Sequence, residues 1–158
     1  MGDVLDIQIG VVFRWKKNAP RKAGRPKPAY FVFLGCYKIE EEDINEWYVI
    51  LARTSARVKF YTEGNRKNHL YILINKDGNH PCFEKPSVIG CRDFYVNITA
   101  EEFLFFFKNG FIEKKCSVSE KELEYVKDLL SNSDDVPEFI HEIKIVEFID
   151  FLIDIEYE

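Results

Sequence analysis

The chain has 158 residues, 46% hydrophobic and 31% charged, too apolar for general disorder and sized for one domain. Its net charge of −5 conceals a split: residues 1–100 carry 16 Lys and Arg against 11 Asp and Glu, whereas residues 101–158 carry 6 against 16. The longest uncharged run, Pro28 to Tyr37, is about half the ~20 residues a membrane helix needs, and the N-terminus lacks the basic start and apolar stretch of a signal peptide, so neither a membrane-spanning nor a secreted protein is expected.

Ile7 to Phe13 alternates and is rich in branched residues, the pattern of a first strand. Arg14, Lys16, Lys17, Arg21, Lys22, Arg25 and Lys27 then fall in a segment without a single acid, broken by Pro20, Gly24, Pro26 and Pro28. Such a stretch reads as an irregular loop over residues 14–28. Clustered cations against an acidic background make it a candidate phosphate-binding surface, since each cation that neutralises a phosphate releases a counterion. A solvated loop held open by self-repulsion fits the same pattern. Tyr30 to Leu34 is a continuous apolar run ended by Gly35, a buried strand; Lys38 to Asn45 reads as a charged turn. Trp47 to Ala52 is a third strand leading into Arg53-Thr54-Ser55, and Lys59 to Thr62 a short one. Leu70 to Ile74 is a strand closed by Lys76-Asp77-Gly78-Asn79, and Ser87 to Cys91 another, with Asp93 to Ile98 continuing or returning from it.

Helical signals follow. Thr99 with Glu102 forms a capping box ahead of Phe103 to Phe107, and Asn109-Gly110 stops the helix. Ser119 with Glu122 opens a second helix whose Leu123, Val126, Leu129 and Leu130 share a face. Pro137 suits the first turn of a third helix with Phe139, Ile140, Ile143 and Val146 inward; from Val146 to Ile155 helical and alternating patterns fit equally. The expectation is a single α+β domain over residues 1–158: a small antiparallel β-barrel in residues 1–98, then two to three C-terminal helices in residues 99–158. GxGxxG and GxxxxGK loops are absent from the sequence, and no cofactor is expected. Cys36, Cys82, Cys91 and Cys116 are far apart with no CxxC pair, which predicts free thiols in a reducing, cytoplasmic setting. His80, Cys82 and Cys91 match no common zinc spacing, so no metal is expected.

Four patches, in order, carry a family resemblance: Gly10-Val11-Val12-Phe13; Gly24-Arg25-Pro26-Lys27-Pro28-Ala29-Tyr30-Phe31-Val32; Ile50-Leu51-Ala52-Arg53-Thr54-Ser55; and Lys85-Pro86-Ser87-Val88-Ile89-Gly90-Cys91, followed after a gap by the Ser119 helix. Together they resemble the MazF/PemK-like superfamily of toxin endoribonucleases, as a divergent member. The resemblance implies an SH3-like barrel and metal-independent, sequence-selective cleavage of single-stranded RNA by 2′-OH attack on the adjacent phosphate. It also implies an antitoxin protein and a homodimer as partners.

In the family, a basic residue before the strand-leading proline and a threonine at the next strand's end line the site. By position these are Lys27 or Arg25, according to whether Pro28 or Pro26 is the matching proline, and Thr54 with Ser55 beside it. Two departures stand out: Lys27 would lack the bidentate phosphate clamp of an arginine, and Arg92 follows Cys91 where many members have an acid. Arg53 and Arg92 are then the candidates to hold phosphate, with His80 as a candidate general acid or base. Arg14, Lys16, Lys17, Arg21, Lys22, Lys85 and Ser87 complete the candidate substrate surface. Trp15 and Tyr37 read first as packing residues and second as stacking platforms for bases. The same departures motivate the alternative, a non-catalytic module binding RNA or a protein on the same barrel.

Overall fold

Described in the computed structural model are residues 2–16, 29–55, 71–74, 80, 82–83, 85–132 and 138–156. They contain strands β1 (Val11–Trp15), β2 (Ala29–Glu41), β3 (Ile44–Ser55), β4 (Tyr71–Ile74), β5 (Ser87–Thr99) and β6 (Ile112–Ser117). The helices are α1 (Ala100–Lys108), α2 (Glu120–Asn132) and α3 (Phe148–Glu156), with 3-10 turns at Val4–Asp6 and Glu138–His141. The strands make one curled antiparallel sheet, a half-barrel, in the order β4-β5-β3-β2-β1-β6.

The sheet is covered on both faces, which explains why its central strands read as unbroken apolar runs rather than clean alternation. On one face Phe13, Trp15, Phe31, Phe33 and Leu51 pack beneath Phe103 and Phe107 of α1 and Phe148 and Phe151 of α3. Ring edges meet faces there, with Phe13 and Phe103 at 5.6 Å and Phe33 and Phe148 at 6.1 Å between centroids. On the other face Val12, Val32, Leu34, Ile50, Ala52 and Ile89 meet Val126 and Leu130 of α2 and Ile140 of the second 3-10 turn.

Parity along β2 changes at Gly35. Phe33 pairs with Leu51 but Gly35 pairs with Ile50, so Leu34 is the extra residue of a bulge. Gly35 has φ +126°, a conformation closed to side chains, and Cys36 beyond it exchanges backbone hydrogen bonds of 2.8 and 2.9 Å with Val146. Residue 146 thus occupies a position beside β2 where β1 has ended, and the chain crosses from the α2 face to the α3 face at that point. Asp154 of α3 is fastened to the sheet by Lys38 Nζ at 2.9 Å and the Trp47 indole N–H at 2.7 Å. Those two hydrogen bonds, from Lys38 first, hold the Asp154 carboxyl below its usual range.

The expected α+β class and antiparallel sheet are present, with several differences in detail. Lys38 to Asn45 is not a broad turn: β2 and β3 run on to a two-residue hairpin at Glu42-Asp43, with Glu41 opposite Ile44. Of the two alternatives for Asp93 to Ile98, the continuing one holds: Ser87–Thr99 is a single strand. Strand β6, assigned nowhere from the sequence, separates the first two helices and pairs with β1. The helix expected from Pro137 is only the 3-10 turn Glu138–His141, and the ambiguous stretch after Val146 is helix α3. Both capping boxes form: Thr99 with Glu102, and Ser119 with Glu122. Phe103 and Phe107 are core as expected, but Phe105 faces outward. The expected strand Lys59 to Thr62 lies outside the described residues. No helix among those described is long and apolar enough to cross a membrane.

Candidate nucleic-acid interface

Strands β1 and β6 place a group of cations around one carboxylate. Arg14 sits opposite both Tyr30 on β2 and Glu113 on β6. Glu113 takes Arg14 at 3.5 Å, Lys16 at 3.1 Å and Lys115 at 3.2 Å. Three cations against one anion leave a surplus of positive charge. Hydrogen bonding from Lys16, joined by Lys115, outweighs the effect of burial and holds the Glu113 carboxyl below its usual range. All four side chains are roughly two-thirds covered, so the group is an ordered surface feature rather than a set of free-swinging chains. Lys16 is also pinned through its backbone N–H to the Phe111 carbonyl at 2.7 Å. From there the chain continues into the cationic segment, whose Lys17, Arg21, Lys22, Arg25 and Lys27 lie outside the described residues.

Arg53 and Thr54 end β3 but do not share a face. Successive strand residues point to opposite sides. Arg53 is paired with Phe31 and stands on the α1–α3 side; Thr54 donates through Oγ1 to the Tyr30 carbonyl at 3.4 Å, on the α2 side. Arg53 is half-buried and forms no ion pair among the described residues. Ser55 and Arg92 are placed by backbone only, in β3 and β5, with Ser55 opposite Val88. Lys85 is exposed, and Ser87, the first residue of β5, is buried with its hydroxyl donating to the Lys85 carbonyl at 3.1 Å. Trp15 and Tyr37 are core: Tyr37 donates its hydroxyl to the Val96 carbonyl and stacks on Tyr48.

His80 is not an exposed loop residue. Its Nδ1 accepts from the Cys82 amide at 3.0 Å, which assigns the ring proton to Nε2 and lets Nε2 donate to Glu122 Oε1 at 3.0 Å. With both nitrogens engaged in structure, the ring is a strut between its own loop and the first turn of α2. Burial raises the Glu122 carboxyl, but the Ser119 amide and His80 outweigh it and hold the group below its usual range.

The expectation of four free thiols is corrected here: Cys82 and Cys116 form a disulfide, their Cα atoms 5.5 Å apart. Sequence separation of 34 residues and the absence of any CxxC hid the pair; the unpredicted strand β6 is what carries Cys116 to it. Cys36 is a buried free thiol, pushed up by burial first and by the nearby Glu147 and Asp150 second. Glu113 and Lys115 were also absent from the sequence-based candidates, although the charged run Glu113-Lys114-Lys115 marks them. No protein-family model matches the chain, and no curated protein matches it significantly.

Proposed function

We propose that this chain binds single-stranded RNA without cleaving it, at the cationic surface of Arg14, Lys16 and Lys115, which the acid-free basic stretch 17–28 follows in the sequence. The observation that carries this reading is the gathering of three cations on the single carboxylate Glu113, with Arg14 and Lys16 immediately preceding an acid-free basic segment in the sequence. A surface of surplus positive charge on a net acidic protein favours a polyanion, and its affinity would come from counterion release. The test is salt-dependent retention of a labelled single strand in EDTA. Binding should weaken steeply with salt, and changing Arg14, Lys16 and Lys115 together to Gln should flatten the log–log slope by about 2, at roughly 0.7 per lost phosphate contact. Retention that ignores salt, or an unchanged slope in the triple variant, refutes the assignment.

A second reading, endoribonuclease of the MazF/PemK type on an SH3-like barrel, is favoured by one observation: Arg53 is half-buried near the end of β3 without a carboxylate partner among the described residues. It predicts cleavage product in the same EDTA incubation, lost in Arg53→Gln. Product that persists in Arg53→Gln, or no product at all, excludes it.

A further inference from the structure

One covalent bond ties a strap on the α2 face to the edge of the sheet. His80, Cys82 and Phe83 lead into the start of β5 and lie across the sheet end that carries Tyr30 and Thr54. Phe83 is buried, its ring 6.3 Å from Tyr30 and 5.2 Å from His80. The strap is held at two neighbouring points. Cys82 is bonded to Cys116 on β6, and His80 reaches Glu122 in the first turn of α2. Cys116 and Glu122 are only six positions apart in the chain, with the cap residue Ser119 between them. Both cysteines are partly buried at the rim of the α2-face core rather than enclosed within it.

The disulfide joins the strap to the edge strand β6, and the strap belongs to the α2-face core: Phe83 is buried in it, and Cys82 and Cys116 pack against it. Beneath the strap, Tyr30 is the cross-strand neighbour of Arg14, so Phe83 covers an aromatic ring at the border of the cationic surface. Bases stack readily on such a ring.

We propose that Cys82–Cys116 is a redox latch that keeps the strap closed over Tyr30 when oxidised and lets it open when reduced, uncovering a stacking position beside Arg14. In the reductive step a dithiol supplies two electrons and two protons. Its first thiolate attacks one sulfur to give a mixed disulfide; its second thiolate displaces the protein sulfur, leaving Cys82 and Cys116 as thiols and the reductant as its own cyclic disulfide. The gain in RNA affinity rests on the RNA-binding reading above; the opening of the strap does not.

The experiment is hydrogen exchange on the full chain, oxidised and after dithiothreitol, with a labelled single-stranded RNA titrated into both states. Reduction should speed exchange at Cys82 and Phe83 by about tenfold or more while Val32 and Ile50 keep their protection, as for a local opening. RNA affinity should rise in parallel. A Cys82→Ser, Cys116→Ser variant should behave as the reduced protein whatever the redox state, and the protection of Val32 and Ile50 reports whether it has folded. Unchanged exchange at the strap overturns the latch; so does loss of protection throughout the sheet, which would make the bond a general staple. Local opening with unchanged affinity overturns its coupling to RNA. RNA binding absent in both states refutes the RNA-binding reading and leaves the latch to be decided by exchange.

Discussion

Replacing Gly35 by alanine tests whether the β2 bulge is fixed by packing. Two costs combine there. A side chain at φ +126° occupies backbone space that is essentially reserved for glycine, costing about 1–3 kcal/mol. The added Cβ would also overlap the Ile145 Cγ2 methyl and stand 3.0 Å from the Val146 carbonyl oxygen, in a segment hydrogen-bonded to Cys36 and unable to withdraw without breaking that bridge. Overpacking of that kind costs about 1–3 kcal/mol, so the two together come to roughly 4 kcal/mol. Set against a domain stability of about 5–15 kcal/mol, this is a large fraction. Gly110 is the matched control: φ is +78° and nothing lies within 4 Å of an added Cβ. Gly110→Ala should therefore cost only the left-handed penalty of about 1–2 kcal/mol. Urea unfolding of the two variants beside the parent reads the difference directly, and Tm should fall by about 2–4 °C per kcal/mol for a chain of this size. If Gly35→Ala loses no more stability than Gly110→Ala, the bulge is not held by residues 145–146 and the account of how the chain crosses between faces is wrong.

Three further outcomes follow from local chemistry. Burial, with the neighbouring Tyr48 second, pushes the Tyr37 phenol from 10.0 up to about 12. The folded state thus prefers the neutral phenol, a contribution fully present below pH 10 and lost as pH rises towards 12. Urea midpoints should drop across that window, and less steeply in Tyr37→Phe; identical slopes would remove Tyr37 from the alkaline transition. Glu122 carries the opposite sign: its lowered value contributes stability above the ordinary 4.5 that disappears as pH falls through the folded value. The stability gap between the parent and Glu122→Gln, followed by circular dichroism, should therefore close in acid, and a gap that persists there would mean the contact is not carried by the carboxylate's charge. Thr99→Ala removes the side-chain oxygen that accepts the Glu102 amide and should cost about 1 kcal/mol in chemical denaturation, with Thr99→Ser recovering most of it.

What the sequence made legible was whatever depends on near neighbours. Thr99 and Glu102, or Ser119 and Glu122, satisfy each other across three residues, so their capping boxes are visible without knowing the rest of the fold. The apolar run Tyr30 to Leu34 marks a strand because burial on both faces leaves no polar positions. Strand β6 was hidden for the converse reason. Ile112–Ser117 is an edge strand with one buried residue and exposed lysines, a composition that protects an edge from further pairing and makes it look like a turn. Missing it meant missing Cys116 as the partner of Cys82 and Glu113 as the partner of Arg14, Lys16 and Lys115. The three cation–carboxylate contacts of the candidate interface all pass through that one strand.

Adjacency in sequence also misled where it mattered most for chemistry. Arg53-Thr54 reads as a ready pair of cation and hydroxyl, and in a turn it would be one. Inside β3 the two residues stand on opposite faces, so no single phosphate is held by both through the sheet. Residues two apart, or directly across a strand pair, are the ones that can cooperate. Arg14 with Tyr30 and Glu113 satisfies that condition, and it lies on the same side as the Phe83 strap. Arg14, Lys16 and Lys115 are gathered on Glu113, whereas Arg53 stands on the α1–α3 side. The strand's parity therefore divides the Arg53-Thr54 motif between the two faces, leaving Thr54 on the Arg14 side and Arg53 on the other.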